Sequence, residues 1–149
     1  MTKTVATVCD PVKGSTNPVN IPGAFVRYTI TIANTGNVSA SLSSVTDTLN
    51  TSLTFDSDFI AGSSAATCVA GNSPSNAVGN GFKLIQVERG FTGGTPKWLT
   101  TSANSDGATA AAGVITIDFP NALPAGGAYA AGELKAAESV QVIYQVKIN

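Results

Sequence analysis

The sequence predicts an all-β protein, an immunoglobulin-like antiparallel β-sandwich of about seven to nine strands. Short segments in which apolar and polar residues alternate recur along the chain, and clusters of Gly, Pro and Asn separate them. Helical periodicity is absent from the sequence. With 149 residues the chain is long enough for one hydrophobic core, so we expect a single domain over residues 1–149.

The clearest strand lies within IPGAFVRYTITIANTGN, residues 21–37. Between Ala24 and Ala33 the residues alternate, which is typical of a half-buried strand. Pro22-Gly23 precedes this segment and Asn34-Thr35-Gly36-Asn37 follows it, and both groups favour turns. We expect a central strand whose core-facing residues are Val26, Tyr28, Ile30 and Ile32.

Other segments have the same β-prone character. The predicted strands are Thr2–Cys9, Ser39–Leu49, Leu53–Ile60, Phe82–Glu88, Lys97–Thr101, Val114–Phe119 and Ser139–Asn149, with Ala103–Gly113 and Asn121–Gly132 as loops. Two of these strands alternate cleanly enough to assign a core face. Those faces consist of Ile115, Ile117 and Phe119 in one strand, and Val140, Val142, Tyr144, Val146 and Ile148 in the other.

The composition excludes several kinds of partner. Eight basic residues among nine acidic ones give no patch suited to nucleic acid, and no apolar run is long enough for a transmembrane helix. Only 11% of the residues are charged, against roughly 25% in ordinary soluble domains. A surface with few charges produces little electrostatic repulsion between copies of the protein, so self-association is not strongly opposed. No hydrophobic signal segment follows Met1, so an exported protein would be in its processed form here.

Catalysis is not expected. The chain has no histidine, which excludes a Ser-His-Asp triad and a His-ligated metal centre, and no cofactor motif is present. Asp56 and Asp58 share a strand face without an enclosing cleft. Together with Asp10 and Asp47 they could form a surface Ca²⁺ site, although solvated turns are the favoured interpretation.

The two cysteines, Cys9 and Cys68, are predicted to form a disulfide if the protein is exported. It would close a loop of about 60 residues and contribute about 4 kcal/mol on the chain-entropy estimate. The alternative is that both side chains are small buried hydrophobic groups.

The first part of the chain resembles a known family. Its motifs are Asp10-Pro11, Asn17-Pro18, Ile21-Pro22-Gly23, Tyr28-Thr29-Ile30, Asn34-Thr35-Gly36-Asn37 and Thr46-Asp47-Thr48-Leu49. In this order they are similar to the conserved repeat domain of bacterial and archaeal surface proteins that is catalogued as domain of unknown function 11. The last strand, after Gly132-Glu133 and Glu138-Ser139, also resembles that of the family. The resemblance implies an Ig-like module of extracellular, cell-surface stalks; residues 62–113 depart from it as a divergent insertion.

The predicted function is that of a structural subunit in an extracellular filament formed by identical chains. Both ends of the chain are predicted strands, and unpaired strand edges can add a strand from another molecule. Residues 2–9 are the candidate donor-strand arm. The predicted subunit-contact residues are Thr4, Val5, Ala6, Thr7 and Val8 near the N-terminus and Val142, Tyr144, Val146 and Ile148 near the C-terminus. The alternative is that both strands complete their own sandwich.

A second hypothesis is an adhesive module that binds a glycan or a host surface protein through its loops. Sugar rings stack on exposed aromatic side chains, and the candidates are Phe91, Trp98 and Tyr129. A lone Trp in a β-sandwich is more often part of the core.

Overall fold

A computed structural model describes residues 1–57, 59, 81–91, 97–101 and 106–149. This part of the chain confirms the predicted all-β class, since its only helical elements are the single-turn helix α1 (Phe119–Ala122) and a 3₁₀ turn at Val87–Arg89. The strands are β1 (Thr2–Cys9), β2 (Phe25–Ala33), β3 (Ala40–Ser41), β4 (Ser44–Thr48), β5 (Leu53–Phe55), β6 (Phe82–Ile85), β7 (Lys97–Leu99), β8 (Ala108–Ala111), β9 (Val114–Asp118), β10 (Glu133–Leu134) and β11 (Ser139–Ile148).

The strands form two main antiparallel sheets. The larger sheet has the order β1-β2-β11-β6-β7, and β5 pairs with the C-terminal part of β11 next to β6. The smaller sheet has the order β4-β9-β8, and β3 and β10 form a separate two-stranded ribbon. The count of strands exceeds the prediction because several are only two or three residues long.

The core lies between the two main sheets. β11 pairs with β2 from Ser139 opposite Ala33 to Lys147 opposite Phe25, which brings the two best-patterned segments of the sequence side by side. Their predicted core faces are confirmed, as are those of β9 and the start of α1. The buried residues on these predicted faces are Val26, Ile30, Ile115, Ile117, Phe119, Val140, Val142, Tyr144 and Val146.

The interpretation of β11 as an unpaired strand is wrong. β11 is paired with β2 on one side and with β5 and β6 on the other, so it lies inside the sheet. Of its predicted contact residues, Val142, Tyr144 and Val146 are fully buried and Ile148 is partly buried against the core. A strand of five alternating apolar residues is long and apolar enough for the middle of a sheet, and this position explains its composition.

Several strands differ from the prediction. β5 ends at Phe55, so Asp56 lies outside the strand predicted for Leu53–Ile60. Ser39–Leu49 divides into β3 and β4, because the Leu42 amide donates to Gly132 and the chain passes from one sheet to another. β6 ends at Ile85, three residues early, because Gln86 and Phe91 pair across a tight turn. Two strands were not predicted: β8, which lies inside the predicted loop Ala103–Gly113, and β10.

β8 and β9 form a hairpin with a two-residue turn. Ala111 lies opposite Val114, and the residues between them, Ala112 and Gly113, have φ values of 50° and 77°. Positive φ at both central positions is the geometry of a type I′ turn, whose twist suits an antiparallel hairpin. Alanine rarely occupies such a position, so this hairpin has no recognisable turn motif in the sequence.

The connection from β1 to β2 is organised around Asp10, which is fully buried. One carboxylate oxygen accepts the amides of Val12 and Lys13, both at 2.7 Å, and the other accepts the Val19 amide at 2.8 Å. The backbones of Asp10 and Gly14 also pair with each other. A single side chain therefore holds the turn-rich connection that the sequence predicts here.

Acid is expected to weaken this turn. Hydrogen bonds, first of all the one from the Lys13 amide, hold the pKa of the Asp10 carboxyl below its ordinary value of 3.8. The folded protein therefore binds this proton less tightly than the unfolded chain does. The stability that Asp10 contributes is present above about pH 4 and is lost as the pH falls through the lowered pKa of the folded state.

Urea unfolding of the wild type and of Asp10→Asn, followed from pH 6 down to acid, measures this contribution. The variant should be less stable near neutral pH, and the difference should shrink as the pH falls. The pKa of Glu133 is also lowered, mainly by the hydrogen bond from the Ala130 amide, but this group is common to both proteins and its effect cancels in the difference. A difference that stays constant with pH would contradict the assignment.

Candidate functional site

β1 is the edge strand of the larger sheet. It pairs with β2 on one side, from Thr2 opposite Thr31 to Cys9 opposite Phe25, and no described strand pairs with its other side. Of the predicted contact residues of β1, Thr4, Val5 and Ala6 are exposed, whereas Thr7 and Val8 are half-buried. Val5 is the largest apolar side chain among the exposed ones, with 59% of its surface accessible.

Two features shape this edge. The pairing of β1 with β2 shifts register between Thr7 and Cys9, which marks a β-bulge. Lys3 faces the smaller sheet, where its Nζ lies 2.5 Å from Asp47 Oδ2 on β4 and 4.3 Å from the centre of the Tyr28 ring. Bulges and inward-facing charges are devices that limit uncontrolled pairing at an edge. The regular part of β1 runs from Thr2 to Thr7, before the bulge.

Asp47 joins β1 to the centre of the sandwich. Its Oδ2 accepts hydrogen bonds from Lys3 and from the Tyr144 hydroxyl. Tyr144 is fully buried and stacks on Tyr28 at a centroid distance of 5.3 Å. Burial, and then the hydrogen bond to Asp47, raise the pKa of Tyr144, so its hydroxyl remains a donor at physiological pH. The edge strand is thus fastened to both sheets through one carboxylate.

β8 is the outer strand of the smaller sheet in the described part of the chain. Its sequence, Ala-Thr-Ala-Ala, contains no charge and no proline, and its pairing with β9 has no register shift. Beside it, an apolar cleft with a volume of about 200 Å³ opens between the sheets. The lining residues are Leu49, Leu53, Thr54, Phe55, Ala110, Ala111, Gly113, Val114 and Ile115.

The predicted disulfide stays a prediction. Cys9 is fully buried and packs with Phe25 and Val8 at the end of β1. Cys68 lies outside the described residues, and so does most of the predicted insertion.

The described acidic residues that were proposed for a calcium site each bond to different groups of the protein. Asp10 accepts backbone amides, Asp47 accepts Lys3 and Tyr144, and Asp56 accepts Gln145 Nε2 at 2.9 Å. Asp58 lies outside the described residues. Within the described ranges, no group of three or more potential metal ligands comes together.

A second candidate site is a cavity between two tight turns. In the first turn Gln86 and Phe91 exchange backbone hydrogen bonds of 2.7 and 2.9 Å, and in the second Gly126 and Tyr129 exchange two of 3.1 Å. The cavity has a volume of about 420 Å³. Its lining residues are Glu88, Arg89, Phe91, Pro124, Ala125, Gly126, Gly127, Ala128 and Tyr129. We call it the two-turn cavity.

Arg89 fixes the two turns relative to each other. Its guanidinium donates to the carbonyl oxygens of Pro124, Ala130 and Glu133 at 2.9 to 3.0 Å. The same group lies 4.2 Å from the centre of the Tyr129 ring. One side chain thereby holds the second turn from three points, and the two-turn cavity is largely preformed.

The Tyr129 ring is held from its hydroxyl as well. This hydroxyl donates to Glu138 Oε1 at 2.6 Å, and that bond raises the pKa of Tyr129 to about 12. Lys135 Nζ lies 4.1 Å from the ring centre. The phenol is therefore neutral and oriented over the whole physiological pH range.

The structure separates the three aromatic residues proposed for glycan binding. Phe91 and Tyr129 both line the two-turn cavity, although 37 residues lie between them in the sequence. Trp98 is elsewhere, on β7, where it packs edge-on against Phe59 at a centroid distance of 5.9 Å. The role of Arg89 was missed, because one arginine in a short polar segment has no recognisable spacing.

Comparison with protein-family models, with curated proteins and with solved structures gives no match. The resemblance to the surface-protein repeat domain therefore stays a prediction. In the described residues, no helix is both long and apolar enough to cross a lipid bilayer.

Proposed function

We propose that this protein is a structural subunit of an extracellular filament, in which identical chains join by β-strand addition at β1. The observation that carries the proposal is the position of β1, an eight-residue strand at the edge of the larger sheet whose first five residues are exposed. An edge of this kind offers backbone donors and acceptors to a second chain. Since β1 is paired with β2, the addition occurs on the folded sheet and does not require the arm to leave it.

The partner edge in this proposal is β8 of a second copy. β8 has neither charge nor bulge, so it lacks the devices that protect β1. β1 is fastened to β4 by Lys3 and Asp47, whereas β8 lies across β9 from β4. The two edges therefore lie on opposite sides of the sandwich. A contact between different surfaces of identical molecules propagates into a filament when the rotation between neighbours does not close a ring.

The apolar cleft beside β8 supplies a place for the Val5 side chain of the adjoining chain. Since 59% of the Val5 surface is exposed, its burial in the contact would contribute about 1 to 2 kcal/mol. The low charge of the protein reduces repulsion between the copies. Backbone pairing would then provide the register and Val5 the apolar anchor.

Replacing Val5 by lysine is expected to prevent assembly, because a charge would enter the contact at its most apolar point. Val38→Lys is the matched control, since Val38 is also exposed, at 69%, and lies outside the strands. Negative-stain electron microscopy and sedimentation of the purified proteins measure the outcome. Wild type and Val38→Lys should form long threads, while Val5→Lys should remain monomeric with an unchanged circular dichroism spectrum.

Deletion of residues 2–9 should also abolish the threads. A wild-type protein that stays dispersed at high concentration would overturn the proposal. Threads formed by Val5→Lys at the wild-type level would exclude β1 as the contact strand.

A further inference from the structure

The two-turn cavity is a second surface that the filament proposal does not use. At about 420 Å³ it falls within the usual range of about 300 to 1,000 Å³ for small-molecule sites. Its walls are two closed turns joined by Arg89, so a ligand would meet a rigid frame. Preformed walls reduce the ordering cost of binding.

The polar group that the cavity offers to a ligand is the carboxylate of Glu88. The terminal nitrogens of Arg89 donate to three carbonyl oxygens, and its Nε is buried below the surface of the wall, so Arg89 is a structural part of that wall. Glu88 is exposed on the same wall and supplies a hydrogen-bond acceptor. Such an acceptor suits a ligand hydroxyl group, which can donate to it.

The charges disfavour ionic ligands. The Tyr129 ring already carries two cations, Arg89 and Lys135, within 4.2 Å of its centre, so a ligand cation would be repelled from it. An anion would meet the Glu88 carboxylate. The ligand class that remains is neutral and rich in hydroxyl groups, with an apolar face for the Phe91 ring.

We propose that the two-turn cavity binds a neutral saccharide, with a pyranose ring against Phe91 and a hydroxyl group that donates to the Glu88 carboxylate. The backbone of Gly126 and Gly127 lines the opposite wall, where the absence of side chains lets a sugar ring approach. This inference stands independently of the filament proposal, since it uses neither β1 nor β8.

Titration of the ¹⁵N-labelled full chain with methyl glycosides of glucose, galactose, mannose and N-acetylglucosamine tests the inference. At least one glycoside should shift the amide resonances of Phe91, Gly126 and Gly127 in a saturable manner. The spectra are recorded on the Val5→Lys variant as well, which is expected to remain monomeric and so to give sharp resonances. Failure of all four glycosides to shift these resonances at millimolar concentration would overturn the proposal.

Two variants separate recognition from folding. Phe91→Ala removes the apolar platform and should weaken binding about tenfold or more. Phe91 also packs partly against the core, so Glu88→Gln, an exposed change, is the second variant and should weaken binding as well. Val87→Ala is the control, because Val87 lies on the same turn, is 64% exposed and does not line the cavity. Equal affinity in all three variants would also overturn the assignment.

Discussion

Replacing Tyr144 by alanine is expected to lower the free energy of unfolding by about 3 to 5 kcal/mol, the usual cost of removing a large buried aromatic side chain. Tyr144 is fully buried on the central strand β11. Its ring lies 5.3 Å from Tyr28, 6.1 Å from Phe82 and 6.4 Å from Phe55, measured between centroids. The cavity left by alanine would therefore remove support from three neighbouring strands. Urea unfolding, followed by circular dichroism, measures the change.

Tyr144→Phe separates the contribution of the ring from that of the hydroxyl. This variant keeps the aromatic contacts but removes the donor to Asp47, so we expect a smaller loss of about 1 to 3 kcal/mol. The amides of β1 should also exchange faster with solvent, because Asp47 holds Lys3 on that strand. If both variants lost the same stability, the ring would contribute nothing beyond its hydroxyl, and the packing described for Tyr144 would be contradicted.

Replacing Gly107 by alanine is expected to lower the free energy of unfolding by about 2 to 5 kcal/mol. Gly107 precedes β8 with a φ of 93°, a conformation that costs an alanine about 1 to 2 kcal/mol. An added Cβ would also lie 2.5 Å from the backbone nitrogen of Ala122 and 2.5 Å from the Asp118 oxygen. Backbone atoms of α1 and β9 cannot move away without breaking their own hydrogen bonds, so overpacking adds about 1 to 3 kcal/mol.

Gly113→Ala is the matched control for this substitution. Gly113 has a φ of 77°, but apart from its two chain neighbours no described residue has an atom within 4 Å of the position that its Cβ would occupy. Gly113→Ala should therefore lower the free energy of unfolding only by the cost of the left-handed backbone conformation, about 1 to 2 kcal/mol. Thermal unfolding of both variants measures the difference. Equal losses would show that the close approach of Gly107 to α1 is not significant for stability.

The sequence predicted those parts of the fold in which large side chains alternate. The core faces of β2, β9 and β11 were correct because β-branched and aromatic residues at every second position have only one way to be buried in a sheet. Phe82–Glu88 and Lys97–Thr101 were both predicted as strands, and β6 and β7 lie within these segments and pair with each other. In these elements local pattern and tertiary packing agree.

The missed features depend on contacts that no local pattern records. β8 consists of alanine and threonine, whose small side chains give little contrast between the two faces. The order of strands in the sheet was also inaccessible, and β11 was therefore assigned to an edge although it is central. Alternation predicts which face of a strand is buried, but it does not tell how many neighbours the strand has.

Only part of the candidate site could be predicted from the sequence. Thr2–Cys9 was expected to be a strand that contacts another chain, and the structure places this strand at an edge of the larger sheet. The two-turn cavity was not expected, because its walls come from segments that are distant in the sequence. Phe91 and Tyr129 were selected only as exposed aromatic residues, and Arg89, which joins their turns, was not selected.

The arrangement of β1 and β11 on either side of β2 has a mechanical consequence. Both strands are antiparallel to β2, so they run in the same direction, and Thr2 and Ile148 lie toward opposite ends of the sheet. Tension applied between these two residues would act along the strands and at right angles to the hydrogen bonds that join them to β2. Such a load strains many bonds at once instead of opening them one after another. The sheet should therefore resist stretching between its termini far better than it resists peeling from one edge.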